Sequence, residues 1–155
     1  MNFQRLFWLY APTGSKAWIC VPLTYTLLIQ FLTGIPKPDI LRKADINNFL
    51  IQISEELFDY PFWLQDLSHL PLFFIFAWLW SWFLRRNQQS TTTLLYSAII
   101  TTSYAILNEL TQFYIPQRFP SVADIIMNIS GVLIALTLHS IMIKNRNTTK
   151  LSFSE

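Results

Sequence analysis

Hydrophobic and polar positions along this chain fall into long apolar blocks separated by polar connections, and only one stretch shows a stripe of apolar residues three or four apart. Such blocks predict helices solvated by a bilayer, because a span needs roughly 17–25 mostly apolar residues. Spans are expected over residues 17–33, 69–84, 94–114 and 121–143. The first carries Pro22 in its opening turns and Gln30 near its end, depths at which both are tolerated. The second closes on Trp78, Trp80 and Trp82 and then Arg85-Arg86, an aromatic belt followed by a basic stop. Asn87–Thr93 reads as a polar turn, and Ile115–Pro120 as a tight turn bounded by prolines.

The connection Ile35–Leu67 changes character and holds six of the nine acidic residues, Asp39, Asp45, Glu55, Glu56, Asp59 and Asp66. Within it Ile46, Phe49, Leu50, Ile53 and Leu57 follow helical spacing. With Asp45 as N-cap, this predicts an amphipathic helix over Ile46–Phe58, lying on the membrane surface or over the mouth of the bundle. Tyr60, Phe62 and Trp63 around Pro61 read as interfacial anchors. Asn2–Tyr10 is too short to span and lacks a small-residue cleavage site behind it, so an interfacial helix or strand is expected there. The tail Lys144–Glu155 is polar and expected to be disordered. The chain thus divides into an N-terminal segment 1–16, a membrane domain 17–143 and a tail 144–155.

Composition agrees. The chain has 155 residues, enough for one domain, and 52% of them are hydrophobic, more than a soluble fold of this size can hide. The expected class is an all-α membrane protein, with four transmembrane helices and one surface amphipathic helix in the first outer loop. A net charge of +2 is too small and dispersed for nucleic-acid binding. Cys20 is the sole cysteine, which excludes a disulfide framework, and it reads as a small packing residue. Seven basic residues (Arg5, Lys16, Arg85, Arg86, Lys144, Arg146, Lys150) fall on the side of both termini and four (Lys37, Arg42, Lys43, Arg118) on the other. The positive-inside rule then puts both termini in the cytoplasm.

Candidate chemistry is concentrated in Asn108–Gly131, where Glu109, Gln112, Arg118, Asp124 and Asn128 interrupt membrane-grade sequence. Ionisable groups there are costly and usually face protein or water. Glu109 and Gln112 share a helix face, which Thr102 and Ala105 extend inward. Arg118 in the following turn is the cation placed to compensate Glu109, as an interhelical pair or as part of a site. Ser121, Asp124, Asn128 and Gly131 form one stripe. Ser121 and Asp124 also match a capping box, and Gly131 suits the close approach of a helix. His69 opens its span at the same level and reads either as an inert interfacial histidine or as a general acid or base. His69, Glu109 and Asp124 have the ligand types for a metal, but their spacing matches no zinc motif, so neither metal nor cofactor is expected. No Gly-rich phosphate loop, nucleophile elbow or HExxH is present. His139 is given no role.

The run Glu109-Leu-Thr-Gln112, Pro116-Gln-Arg118 and Ser121-Val-Ala-Asp124-Ile-Ile-Met-Asn128-Ile-Ser-Gly131 resembles the VanZ-like family. With His69 and the four-span layout, the resemblance covers about residues 17–143. The family usually has Asp-Glu at Asn108-Glu109, and often Asp-Lys-x-x-His where this chain has Gln65-Asp66-Leu67-Ser68-His69. The resemblance implies a bacterial cytoplasmic-membrane protein of a family whose namesake is associated with teicoplanin resistance, without supplying a reaction.

Two functions are expected to compete. In the first, Glu109, His69 and Asp124 act as acid–base groups on an anionic or lipid-linked cell-wall precursor at the outer leaflet, which Arg118, Gln112, Asn128 and Ser121 bind. In the second, the same residues bind a lipid headgroup, a glycopeptide or a partner protein without turnover. A transporter is disfavoured, since the chain has no repeat and its polar groups crowd one end.

Overall fold

The computed structural model describes residues 9–86 and 91–152, with side chains described as far as Lys144. The expected element at Asn2–Tyr10, up to residue 8, and residues 87–90 of the expected polar turn lie outside them.

The described residues form six helices and no strand: α1 Cys20–Gly34, α2 Pro38–Lys43, α3 Asn48–Phe58, α4 Phe62–Leu84, α5 Thr91–Gln112 and α6 Val122–Ser152. A 3-10 turn, Lys16–Ile19, leads into α1. Three stretches are long and apolar enough to cross a membrane, Lys16–Gly34, Phe62–Leu84 and Val122–Lys144. The fourth expected span, α5, is 22 residues long but is not among them. Its polar side chains Ser97, Thr101, Asn108, Glu109 and Gln112 are buried against the other helices, while Leu95, Ile99, Leu107 and Leu110 face outward. Average hydropathy counts those inward groups against it. The buried face runs through Thr101 and Ala105, so Thr101 takes the place expected of Thr102.

The long helices pack up and down, so the end of α1, the start of α4, the end of α5 and the start of α6 meet at one end of the bundle. The α4–α6 pair is the most extensive. Gly131 explains how it closes: a Cβ there would lie 2.4 Å from Leu70 O and 2.9 Å from Phe74 N, both backbone atoms of α4. Phe73, Phe76, Ile29, Val132 and the small residues Ala77 and Ala105 fill the centre, and small residues let backbones approach without hydrocarbon gaps. Leu27, Leu95, Ile126 and Leu133 lie on the outside. Cys20 is also exposed, although Pro22 in the same turn of α1 is buried. The expected packing role is therefore corrected.

The connection between α1 and α4 folds into two helices. α2 begins with Pro38 at its N-terminus and ends at Asp45, whose φ of 51° is the left-handed conformation that stops a helix. Asp45 therefore does not cap the next helix. Asn47 does, accepting the Phe49 N–H at 2.9 Å, so α3 starts at Asn48 rather than Ile46. An Arg42–Glu55 ion pair and the Ser54 hydroxyl, which donates to Pro36 O at 2.7 Å, fasten this unit to itself and to the chain leaving α1. α4 starts seven residues before the expected boundary, with Pro61 at its N-cap and Tyr60, Phe62 and Trp63 exposed around it.

The opposite end is also tied. Arg85 is buried and donates to Ser140 Oγ at 3.2 Å and His139 Nδ1 at 3.4 Å. His139 Nε2 in turn meets Leu9 O at 2.9 Å, and Ala11 N donates to Trp82 O at 3.0 Å. Burial lowers the Arg85 pKa, with Tyr10 opposing the shift. The expected basic stop is thus an internal strut, and His139 has a structural place in it. Beyond Ile143, α6 continues to Ser152, so the polar stretch begins as helix rather than as a disordered tail.

Candidate functional site

Three helices bring ionisable side chains together at the shared end of the bundle. α4 supplies His69 two turns from its start, α5 supplies Glu109 in its last turn, and α6 supplies Asp124 in its first. Glu109 is fully buried, His69 is 8% exposed and Asp124 9%. His69 Nδ1 lies 3.7 Å from Glu109 Oε1, and His69 Nε2 lies 3.8 Å from Asp124 Oδ1. One imidazole therefore stands between two carboxylates.

Amide side chains set the orientation of this group. Asn128, a turn below Asp124 on α6, donates to Glu109 Oε1 at 3.1 Å and Ala105 O at 3.4 Å. Both partners only accept, which fixes the amide orientation and leaves Asn128 Oδ1 facing His69 Nδ1 at 3.0 Å. Nδ1 therefore carries a proton, and Nε2 faces Asp124. Gln112 Nε2 and Asn108 Nδ2 also donate to Glu109 Oε1, at 3.3 and 3.4 Å. One oxygen of Glu109 is thus saturated, while its Oε2 and Asp124 Oδ1 are buried without a protein partner. Beneath the cluster, Phe73 stacks on His69 with ring centroids 6.5 Å apart, and Phe76 packs on Tyr104 at 4.8 Å. These rings close the site toward the bundle interior.

Above the cluster lies a cavity of about 490 Å³. His69, Asp124, Gln112, Arg118 and Asp66 supply its polar wall, and Leu57, Leu64 and Leu72 part of its apolar one. Arg118 reaches it from a turn in which Arg118 N donates to Ile115 O at 3.1 Å. Pro116 and Gln117 occupy its middle, and the φ of 61° at Gln117 is what position i+2 of a type II turn requires. The guanidinium donates to Thr33 O at 2.7 Å at the end of α1 and lies 4.9 Å over the Phe58 ring. Burial lowers the Arg118 pKa, and Asp124 and Glu109 oppose that shift. Arg118 makes no ion pair within 4 Å among the described residues, so the expected Glu109–Arg118 pair is replaced by His69–Glu109, with Arg118 acting at longer range.

The model of the VanZ/LLP1 family matches residues 18–143. The chain belongs to that family. No curated protein and no solved structure matches it. Every residue of the VanZ/LLP1 chain singled out above, from Thr33 to Asn128, lies inside the matched segment.

The geometry sorts the expected site residues of this VanZ/LLP1 protein. His69, Glu109, Asp124, Gln112 and Asn128 come together, with Arg118 on the cavity wall. Ser121 does not join them: its Oγ accepts from Ala123 N at 3.1 Å and Asp124 N at 3.4 Å, as the cap of α6. Asn128 is fully buried and organises the cluster from within rather than lining the cavity. Two residues were missed. Asn108 is buried beside Glu109, and Thr33 Oγ1 lies 2.8 Å from Asn108 Oδ1. The sequence carried a signal for Asn108, since it falls on the inward face one residue from Glu109. Thr33, 75 residues away, had none. Asp66, out of register with the family pattern, still lines the cavity one helical turn before His69.

Proposed function

We propose that this VanZ/LLP1-family protein is a multi-pass protein of the bacterial cytoplasmic membrane that performs acid–base chemistry on an anionic, lipid-linked envelope substrate. The observation that carries the reading is the place of His69 Nε2. This nitrogen lies 3.8 Å from the Asp124 carboxylate, on the wall of a cavity that Arg118 also lines. An imidazole between carboxylates accepts a proton from a substrate hydroxyl or from water and returns it. Arg118 offers the charge that orients a phosphate or other anion. Gln112 sits on the cavity wall beside it as a further polar contact. Glu109 and Asn128 hold the imidazole from behind.

In this reading α5 is a fourth span. Its 22 residues rise about 33 Å, enough for the hydrocarbon core. Its outward side chains are mostly apolar, with Ser103 the exposed polar one in mid-helix, and Ser97, Thr101, Asn108, Glu109 and Gln112 are sealed against neighbours. Four crossings and the basic excess near the termini favour cytoplasmic ends and a cavity at the outer leaflet. There α3 lies as a flap at the surface, with Leu57 on the cavity wall. The resemblance to a family whose namesake is associated with teicoplanin resistance favours a cell-wall precursor as substrate and glycopeptide susceptibility as a second readout.

A second reading, in which the protein binds a headgroup, a glycopeptide or a partner without turnover, draws support from the complete burial of Glu109, which keeps it from touching a ligand in the cavity. One experiment separates the two. Envelope lipids and lipid-linked precursors are compared by mass spectrometry in cells lacking the protein and in cells carrying wild type or Glu109→Gln at matched membrane levels. A species that accumulates in the null and with Glu109→Gln, but not with wild type, is expected. Identical lipid profiles with altered growth or teicoplanin susceptibility would give the case to the binder.

A further inference from the structure

We propose that His69, Glu109 and Asp124 form a binding site for one divalent first-row metal ion, of the zinc or manganese type. The inference rests on the reading above for the cavity being the working site, and it moves the acid–base capacity from the imidazole to a water held by the ion.

The first argument is a surplus of acceptors. Each of the three residues offers one ligand atom, and these atoms all lie within 4.8 Å of one another. Asn128 commits His69 Nδ1 to donation, so Nε2 is the ring nitrogen left to face Asp124 Oδ1. Glu109 Oε2 and Asp124 Oδ1 have no protein donor although both are buried. A buried acceptor left bare costs about 1–3 kcal/mol, and more when charged. Converging bare acceptors call for a cation. A metal ion sits about 2.0–2.2 Å from each donor, so ligand atoms in its shell are separated by roughly 2.8 to 4.4 Å. The Nε2–Asp124 separation falls in that window.

The second argument is the layer behind the ligands. Metal-binding histidines donate their other N–H to an acceptor, and metal-binding carboxylates are themselves hydrogen-bonded. Here His69 Nδ1 donates to Asn128, and three amides saturate Glu109 Oε1 while leaving Oε2 free. Charge gives the third argument. Glu109, Asp124 and the nearby Asp66 set three carboxyl groups against the single guanidinium of Arg118, an acidic surplus that a divalent ion would offset. One nitrogen and two oxygens suit zinc, manganese or iron and exclude a thiolate-type site. Three protein ligands with the cavity on the fourth side match a site that keeps a position open for water or a substrate oxygen.

The test uses the full-length protein purified in detergent and stripped with a chelator. Mn2+ is titrated and read by electron paramagnetic resonance, and Zn2+ is added as competitor. The expected result is one Mn2+ per chain, displaced by Zn2+, with nitrogen coupling from a single histidine. Asp124→Asn and Glu109→Gln, each nearly isosteric and checked for monodispersity and helical content, should weaken binding at least 100-fold, and Asn128→Ala about 10- to 100-fold. Binding that survives both carboxylate substitutions, or bound Mn2+ without nitrogen coupling, overturns the site. Should the ion bind as described while lipid profiles are identical with and without the protein, the site stands and the enzymatic reading fails. Should lipids change while no ion binds to wild type, the imidazole works alone and the metal site falls.

Discussion

Asn128 determines which nitrogen of His69 carries the proton. Its Oδ1 stands 3.0 Å from Nδ1, and it cannot turn over because its amide nitrogen is held by Glu109 Oε1 and Ala105 O. At the other end of the bundle the logic reverses for His139, whose Nε2 faces Leu9 O while its Nδ1 faces the Arg85 guanidinium. A carbonyl only accepts and a guanidinium only donates, so His139 must be protonated at Nε2.

The protein's two histidines are therefore expected to be opposite tautomers. Nitrogen NMR on histidine-labelled protein at neutral pH should give one Nδ1–H and one Nε2–H pattern, assigned with His139→Gln. Asn128→Ala should abolish the preference at His69 and cost about 1–3 kcal/mol of stability, since it strands buried polar groups. Two Nε2–H histidines in wild type would contradict the hydrogen bond from His69 Nδ1 to Asn128.

Gly131 should tolerate no side chain. The atoms a Cβ would strike are α4 backbone, at 2.4 and 2.9 Å, so relief requires moving a whole helix rather than rotating a side chain. Gly131→Ala is expected to destabilise the protein by about 1–3 kcal/mol or more, as overpacked cores do. It should also impair function out of proportion to that loss, because the same seam sets the distance from His69 to Asp124. Gly14→Ala is the comparison: nothing lies within 4 Å of its Cβ position, and a surface change of this kind stays within about 0.5 kcal/mol. Equal midpoints for the two variants in detergent denaturation would contradict the close approach.

Much of this was legible in the sequence, and the failures have physical causes. The four long helices followed from apolar block length, and the stripe Asp124, Asn128, Gly131 followed from helical spacing, because both are local properties. The partner of Glu109 was misread. Chain proximity favoured Arg118, but the up-down packing brings His69, 40 residues earlier, to 3.7 Å. Asn47 rather than Asp45 caps α3, because Asp45 is already used in the left-handed stop of a helix, α2, too short to leave a periodic signal. Arg85 read as a surface charge, since nothing in its neighbourhood announces His139 and Ser140 on another helix.

Orientation in the membrane can be settled with one cysteine at a time. The chain has a single native cysteine, so Cys20→Ser gives a silent background. Into it, Asp39→Cys places a thiol at an exposed position of α2, on the side of the cavity, and Gly14→Cys places one in the exposed segment before α1. The positive-inside count puts these positions on opposite faces, with α2 outside. A membrane-impermeant maleimide added to intact cells should label the α2 thiol and spare the other, which should react only after permeabilisation. The reverse pattern would place Arg118 and the cavity in the cytoplasm, and an outer-leaflet substrate could then not reach His69.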